Sequence, residues 1–205
     1  MSSPAVKKID LILDTDTYFT ECLDEAFQSR KIEANPNTSN YLVNLLKHYM
    51  SADNLYVIDS SGKRKQETPA EMLLKALNQD SKGPKVQLLK KLGDTCLYVG
   101  GFFGDSLNKR IVDLDYYIEM GETAYGTLAT NAQDQASSQV YEEFSYRFTD
   151  FLDVLTHISL KLMVQTNEDL LKLYDKYITT GSELAKDQLV EKGILNAQLK
   201  NGGYQ

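Results

Sequence analysis

The feature that most constrains the fold is a glycine-rich, aromatic segment from Leu92 to Leu128, LGDTCLYVGGFFGDSLNKRIVDLDYYIEMGETAYGTL. It holds six of the twelve glycines in the chain. Apolar residues on both sides of it keep spacings of three and four, which are typical of α-helices. Because glycine has no Cβ, we expect these glycines to let neighbouring backbones approach closely.

Further apolar series with helical spacing cover most of the chain. The most regular one runs from Leu107 to Leu128 in an unbroken 4-3-4-3-4-3 pattern, with Gly121 at one of its positions. Another, rich in phenylalanine, runs from Val140 to Leu162 and predicts one long helix. We therefore predict an all-α fold, a single-domain bundle of about seven or eight helices packed ridges-into-grooves.

Capping residues and glycines predict where several helices begin and end. Pro36 and Pro69 suit first-turn positions, and Thr68 suits an N-cap. Gly100 and Gly101 together cost about 2 kcal/mol of helix propensity relative to alanine. We therefore expect a helix to stop there, GGFFG (100–104) to form a tight turn between helices, and Asp105 or Ser106 to cap the next helix.

The predicted domain organisation has three parts. Residues 1–14 form an N-terminal tail, residues 15–200 the helical domain, and residues 201–205 a disordered C-terminus. A short extended segment from Ile9 to Leu13 could pair with residues 54–59 as one minor two-stranded element. Near the C-terminus, we expect Asn167 to cap a separate helix that ends at Thr180-Gly181, and Ser182 to cap a last helix.

Composition limits the classes of function. The chain has 205 residues and a net charge of −7, which disfavours binding to nucleic acid or anionic lipid. No apolar run approaches the length of a membrane span, and the N-terminus lacks a signal-peptide layout. We expect a cytoplasmic protein. Cys22 and Cys96 lie among apolar residues, so we expect two buried, reduced thiols.

The sequence lacks the common catalytic motifs. It contains no GxSxG or SxxK context with a matching base, and GGFFG has the spacing of neither common phosphate-binding loop. Only two histidines occur, His48 and His157. These absences favour a non-enzymatic protein without a cofactor, and they leave open an enzyme whose site is assembled from scattered residues.

One pair of residues supports an alternative, a helical bundle that binds a metal, haem or a small ligand. Asp153 lies four residues before His157, so the two side chains can meet on one helix. They are the candidate metal ligands, and a local stabilising contact is the simpler explanation. The acidic residues Asp113, Asp115, Glu119 and Glu122 are most simply an exposed helix face, since the supporting Glu-x-x-His motif is missing.

The block from Leu92 to Ala129, together with NYLVNLLKHYM (40–50), resembles a group of uncharacterised cytosolic bacterial proteins. The shared features are the Leu-Gly-Asp, Gly-Phe-Phe and Asp-Tyr-Tyr patterns, and the resemblance covers about residues 16–130. It implies a bacterial source and a common helical domain. It implies no activity and no role for any residue.

These observations favour a cytoplasmic helical protein that acts through protein–protein contacts, as an adaptor, a regulator or an assembly component. The expected partner is another protein or a second copy of the chain, with neither nucleic acid nor a membrane. Aromatic and arginine residues are enriched in such interfaces. The candidate partner-binding residues are Phe102, Phe103, Arg110, Tyr116 and Tyr117.

Overall fold

A computed structural model describes residues 4–59, 61–107, 113–181, 186 and 189. Across these residues the protein has seven α-helices, one 3-10 turn and a two-stranded antiparallel ribbon, which confirms the all-α prediction. In chain order the elements are α1 (Pro4–Arg30), α2 (Pro36–Tyr49), the 3-10 turn (Ala52–Leu55), β1 (Val57–Ile58), β2 (Arg64–Lys65), α3 (Pro69–Leu77), α4 (Lys82–Leu107), α5 (Leu114–Asn131), α6 (Gln135–Tyr146) and α7 (Phe148–Thr180).

The chain divides into two compact units, Met1–Ser159 and Leu160–Gln205. The core of the first unit is built from the predicted apolar stripes and is rich in aromatic rings. Cys22 and Cys96 are buried free thiols in it, as predicted. Its largest fully buried side chains are Tyr125, Phe144, Phe148, Phe151, Leu23, Leu42, Leu92, Leu97, Leu128, Leu155 and Ile158.

Local sequence determines where several helices start. The side chain of Asn35 caps α2, with Pro36 in its first turn. Thr68 and Glu71 form a capping box at the start of α3, in which each side chain accepts a hydrogen bond from the other residue's backbone N–H. The predicted roles of Pro36, Thr68 and Pro69 are confirmed.

The small ribbon has a different origin from the predicted one. The segment from Ile9 to Leu13 is helical and lies within α1, so its expected extended conformation and its pairing with residues 54–59 are wrong. β1 instead pairs with β2, a few residues further along the chain. The reversal between them contains Gly62 at φ +77°, a left-handed conformation that glycine adopts without strain. Short-range pairing costs less chain entropy than closing a long loop.

The expected break at Gly100-Gly101 does not occur, because α4 continues through both glycines to Leu107. A Cβ at Gly101 would lie 2.5 Å from Cβ of Leu155, so α7 packs directly against the backbone of α4 at this glycine. Thr156 Oγ1 also donates a hydrogen bond of 2.9 Å to the Gly101 carbonyl oxygen. Tertiary packing here outweighs the low helix propensity of glycine. The expected GGFFG turn and the cap at Asp105 or Ser106 are therefore wrong.

Gly121 lets two helices approach, as its place in the apolar stripe predicts. A Cβ there would lie 2.2 Å from Cζ of Phe148 at the start of α7. The helix that carries Gly121 begins at Leu114 with Asp113 as its N-cap, and not at Leu107. The 4-3 pattern therefore predicts the buried face of α5 correctly and its start incorrectly.

The long helix predicted from Val140 to Leu162 is interrupted at Arg147, whose backbone adopts φ −123° and ψ 30°. The Arg147 guanidinium reaches Glu143, Asp150 and the carbonyl oxygen of Glu33. These bonds link the last turn of α6 to the first turn of α7 and to the segment between α1 and α2. Beyond it, α7 passes through Asn167 without a new start and ends at Thr180, where Gly181 has φ +63°. The cap expected at Ser182 lies outside the described residues.

Candidate functional site

Four aromatic side chains of the first unit pack against one another in a row. The ring of Tyr49 stacks on Tyr98 with centroids 4.4 Å apart, and Tyr98 stacks on Phe102 at 4.5 Å. Phe103 meets Tyr98 edge to face at 6.1 Å. Tyr98 and Phe102 lie four residues apart on α4, so one face of that helix presents both. We call Tyr49, Tyr98, Phe102 and Phe103 the aromatic row.

The row passes from the core to the surface. Tyr49 is 4% exposed, Tyr98 and Phe102 are half-buried, and Phe103 is 45% exposed. Tyr49 is also anchored by a 2.9 Å hydrogen bond between its hydroxyl and Thr95 Oγ1. The exposed ring of Phe103 is thus held on a rigid helix by packing against partly buried rings, which limits the entropy it would lose on binding.

A shallow, open depression of about 400 Å³ lies beside the buried end of the aromatic row, with Tyr49 in its wall. Two carboxylates and two ammonium groups line it, and each is already in an ion pair. Lys90 pairs with Asp94, Lys91 with Glu67, and Asp53 with Arg64. The depression therefore offers little uncompensated charge to a ligand. The lining residues are His48, Tyr49, Asp53, Asn54, Tyr56, Gln87, Lys90, Lys91 and Asp94.

The carboxylate of Asp94 joins three helices at the edge of this depression. Its Oδ1 accepts hydrogen bonds from the hydroxyls of Tyr41 of α2 at 2.5 Å and Tyr125 of α5 at 2.7 Å. Its Oδ2 accepts one from Lys90 Nζ at 2.6 Å. The Lys90 ammonium also lies 4.7 Å from the centre of the Tyr41 ring. A buried charge with this many partners fixes the relative positions of the helices.

The two tyrosines of this cluster are neutral donors. Burial raises the pKa of Tyr41 and of Tyr125, and the negative charge of Asp94 raises both further. Burial raises the pKa of Tyr49 as well. Because all three phenols stay protonated at physiological pH, the cluster supplies hydrogen-bond donors and no phenolate nucleophile.

Four of the five candidate partner-binding residues fall on two helices. Phe102 and Phe103 lie at the C-terminal end of α4 and belong to the aromatic row. Tyr116 and Tyr117 are half-buried at the start of α5 and meet each other edge to face at 6.0 Å. The backbone N–H of Tyr116 donates a hydrogen bond to the side chain of Asp113, the N-cap of α5. Arg110 lies outside the described residues.

The candidate metal ligands Asp153 and His157 lie one turn apart on α7. The carboxylate of Asp153 forms an ion pair with Arg30 of α1, and His157 is half-buried one turn further along α7. Among the described residues, no group of three or more His, Cys, Asp or Glu side chains could hold a metal ion. Of the acidic residues on α5, Asp113 serves as the N-cap, and Asp115 and Glu119 are exposed.

Sequence reasoning missed the Asp94 cluster. One signal was available, because Lys90 and Asp94 are four residues apart in a predicted helix and can pair there. The glycine before Asp94 was a second signal, because a residue without a side chain leaves room for another residue to approach the carboxylate. Nothing local, however, indicates that Tyr41 and Tyr125 converge on this carboxylate from 53 and 31 residues away.

No known family model, curated protein or solved structure matches the chain. The resemblance to bacterial proteins and the bacterial source that it implies therefore stay predictions. In the part of the chain that the structure describes, no helix has both the length and the apolar content to cross a membrane.

Proposed function

We propose that this protein is a non-enzymatic, cytoplasmic helical protein that acts by binding another protein through the aromatic row. The observation that carries the proposal is the 45% exposure of Phe103 at the end of a stacked row of partly buried rings. Large aromatic side chains held rigidly at a surface are typical anchors of protein interfaces. Arg110, Tyr116 and Tyr117 are proposed as further parts of the contact.

Other exposed apolar side chains lie near the row in the chain and support the same role. Met50 directly follows Tyr49 and is 63% exposed, and Tyr56, in the wall of the depression, is 43% exposed. They add exposed apolar area at the Tyr49 end of the row, near the paired charges of the depression, and apolar area bordered by polar groups is typical of interfaces. An adaptor, a regulator or an assembly component would all use such a surface.

The test compares Phe103→Ala with Tyr146→Ala in quantitative pull-downs from the source cell. Tyr146 is a matched control, because it is an aromatic residue that is 87% exposed and lies outside the row. We expect a stoichiometric partner that binds the unmodified protein and Tyr146→Ala but not Phe103→Ala. The unfolding free energy of Phe103→Ala should fall by about 1–2 kcal/mol, and not by the ~3–5 kcal/mol of a core phenylalanine. A partner that Phe103→Ala retains at near-normal stability would remove Phe103 from the proposal.

A second candidate function is the binding of a small ligand in the depression beside Tyr49. The favouring observation is the depression itself, about 400 Å³ with convergent polar groups, within the usual size of ligand sites. Its paired charges favour a neutral polar ligand over an ion. Mass spectrometry of compounds released from freshly purified protein tests this candidate, and metal analysis with an absorbance spectrum tests for a metal or haem. A stoichiometric compound, iron or a Soret band would favour the ligand-binding function.

A further inference from the structure

The wall of the depression beside Tyr49 combines hydrogen-bond donors and acceptors whose charges balance. Lys90 and Lys91 supply its ammonium groups, and Asp53 and Asp94 supply its carboxylates, each of them in an ion pair. An ammonium group has three N–H donors and a carboxylate about four acceptor sites, so these pairs can form further hydrogen bonds. A ligand with both donors and acceptors and no net charge fits such a wall.

Neutral polar side chains add to this capacity. Gln87 of α4 and Tyr56, which follows the 3-10 turn, both line the depression and are exposed. In the described part of the chain, neither the Gln87 amide nor the Tyr56 hydroxyl has a hydrogen-bond partner. Asn54 donates from Nδ2 to the carbonyl oxygen of His48, and its Oδ1 remains an acceptor. Donors and acceptors therefore face the depression from α4 and from the segment around the 3-10 turn.

The ring of Tyr56 gives the depression an accessible apolar face. Tyr49, the other tyrosine of the lining, is 4% exposed and already stacks on Tyr98. Tyr56 is 43% exposed, and its backbone N–H donates a hydrogen bond of 3.1 Å to the carbonyl oxygen of Asp53, which holds the chain in place. An aromatic ring of this kind presents an apolar body and a polar tip. A pyranose sugar has the matching chemistry, because C–H groups cover its faces and hydroxyls, each both donor and acceptor, surround its rim.

We propose that the depression binds a neutral pyranose sugar, with a C–H face on the Tyr56 ring and hydroxyls on the Gln87 amide and the Lys90–Asp94 pair. The inference rests on the second candidate function, a small-ligand site in this depression, and names the class of that ligand. A volume of about 400 Å³ lies toward the small end of ligand sites, which suits a mono- or disaccharide. Because the depression is open, the sugar can be free or the end of a longer glycan.

NMR titration of the ¹⁵N-labelled full chain with glucose, galactose, mannose, N-acetylglucosamine, maltose and lactose tests the sugar site. At least one sugar should give saturable shifts of the amide signals of Asn54, Tyr56 and Gln87. Tyr56→Ala should raise the dissociation constant by at least about tenfold, while Tyr56→Phe keeps the ring and should stay within about threefold. Tyr146→Ala is the matched control, because Tyr146 is 87% exposed and outside the lining, and should leave the constant unchanged.

The outcomes that overturn the inference are distinct from those that overturn the proposed function. Saturation by none of the six sugars, or equal weakening by Tyr56→Ala and Tyr146→Ala, would remove the sugar site. It would leave the Phe103 proposal standing, since that proposal concerns the other end of the aromatic row. A stoichiometric compound other than a sugar, released from the purified protein, would keep the small-ligand function and overturn its assignment to a sugar.

Two further probes test the neutral character and the source of the sugar. Glucose 6-phosphate and glycine, an anion and a zwitterion, should bind no more tightly than the best neutral sugar, because the charges of the wall are already paired. Tighter binding of either would overturn the inference. Labelled protein on an array of immobilised glycans distinguishes the two sources. Binding there that Tyr56→Ala abolishes supports a glycan end, and sugar binding in solution alone supports a free sugar.

Discussion

Tyr125 donates a hydrogen bond of 2.7 Å to Asp94 Oδ1, and this contact joins α5 to α4 in the interior of the first unit. Tyr125 has no exposed surface and Asp94 is 8% exposed. The residue before Asp94 is Gly93, where a Cβ would lie 2.9 Å from Cζ of the Tyr125 ring. The glycine makes room for the ring, and the carboxylate binds its hydroxyl, so the Gly-Asp pair and the tyrosine act as one structural element.

Tyr125→Phe should destabilise the protein because it removes this donor while keeping the ring. A hydrogen bond to a charged group is worth about 1.5–3 kcal/mol, and the buried carboxylate loses one of its partners. We expect the free energy of unfolding to fall by about that amount in urea titrations. Tyr146→Phe removes a hydroxyl from a side chain that is 87% exposed and should change it by less than about 0.5 kcal/mol. Equal stabilities of the two variants would contradict the role given to Asp94.

The buried tyrosines should make the protein lose stability in alkali. The pKa of Tyr41, Tyr49 and Tyr125 is raised in the folded protein, chiefly by burial. In the unfolded chain a tyrosine ionises near pH 10, so above about pH 10 the unfolded state releases protons that the folded state retains. Stability from these groups is therefore fully present below about pH 10 and is lost as the pH rises beyond it.

Urea midpoints measured between about pH 8 and pH 11 test this expectation. The free energy of unfolding should fall with increasing steepness in the upper part of that range. Tyr125→Phe should show a shallower fall, because it has one fewer buried group to ionise on unfolding. The same slope in both proteins would mean that Tyr125 is not the source of the effect.

The fold class could be predicted from sequence because it depends on local patterns. The 4-3 series predicts the buried face of α5, and the Thr68–Glu71 capping box predicts the start of α3. The predictions of helix ends failed where contacts between residues far apart in the sequence determine the local structure. Gly100 and Gly101 read locally as a helix stop, but α7 packs against them and the helix continues.

The candidate site was predictable only in part for the same reason. Phe102 and Phe103 stand out as adjacent aromatic residues in a glycine-rich segment, so the sequence alone makes them candidates. The stacking of Tyr49 on Tyr98 joins α2 to α4 and has no local signal. The convergence of Tyr41 and Tyr125 on Asp94 likewise depends on the packing of three helices.

Gly101→Ala should destabilise the protein although alanine is the better helix former. The added Cβ would lie 2.5 Å from Cβ of Leu155, so α4 and α7 would have to move apart. Such overpacking costs about 1–3 kcal/mol, and we expect the upper part of that range because the Leu155 Cβ cannot rotate away, so the cost exceeds the ~1 kcal/mol gained in helix propensity. Gly83→Ala is the control in the same helix, since a Cβ there meets nothing within 4 Å. Gly83→Ala should leave the unfolding temperature unchanged or raise it slightly. A Gly101→Ala variant with the same unfolding temperature as Gly83→Ala would refute the close packing of α4 on α7.

Glu67→Gln should lower the free energy of unfolding at neutral pH. It should also make that free energy depend less on pH in the acidic range. The carboxylate is 6% exposed and accepts hydrogen bonds from Lys75 of α3 and, at 2.9 Å, from Lys91 of α4. Burial alone would raise the pKa of Glu67, but the two lysines outweigh it and the pKa is lowered. Both ammonium groups are partly solvated, so we expect a loss of about 1–2 kcal/mol at pH 7 in urea titrations.

The lowered pKa of Glu67 also determines whether acid raises or lowers the stability that this carboxylate contributes. In the unfolded state the Glu67 carboxylate takes up a proton near pH ~4.3, the ordinary pKa of a glutamate, while in the folded state it resists protonation. The stability that the Glu67 carboxylate contributes is therefore complete above that pH and is lost as the pH falls below it. The difference in stability between the unmodified protein and Glu67→Gln should shrink over the same range. Glu142→Gln, at an exposed position on α6, serves as the control. A difference that stays constant down to about pH 3 would show that the Glu67 carboxylate does not hold α3 against α4 through its charge.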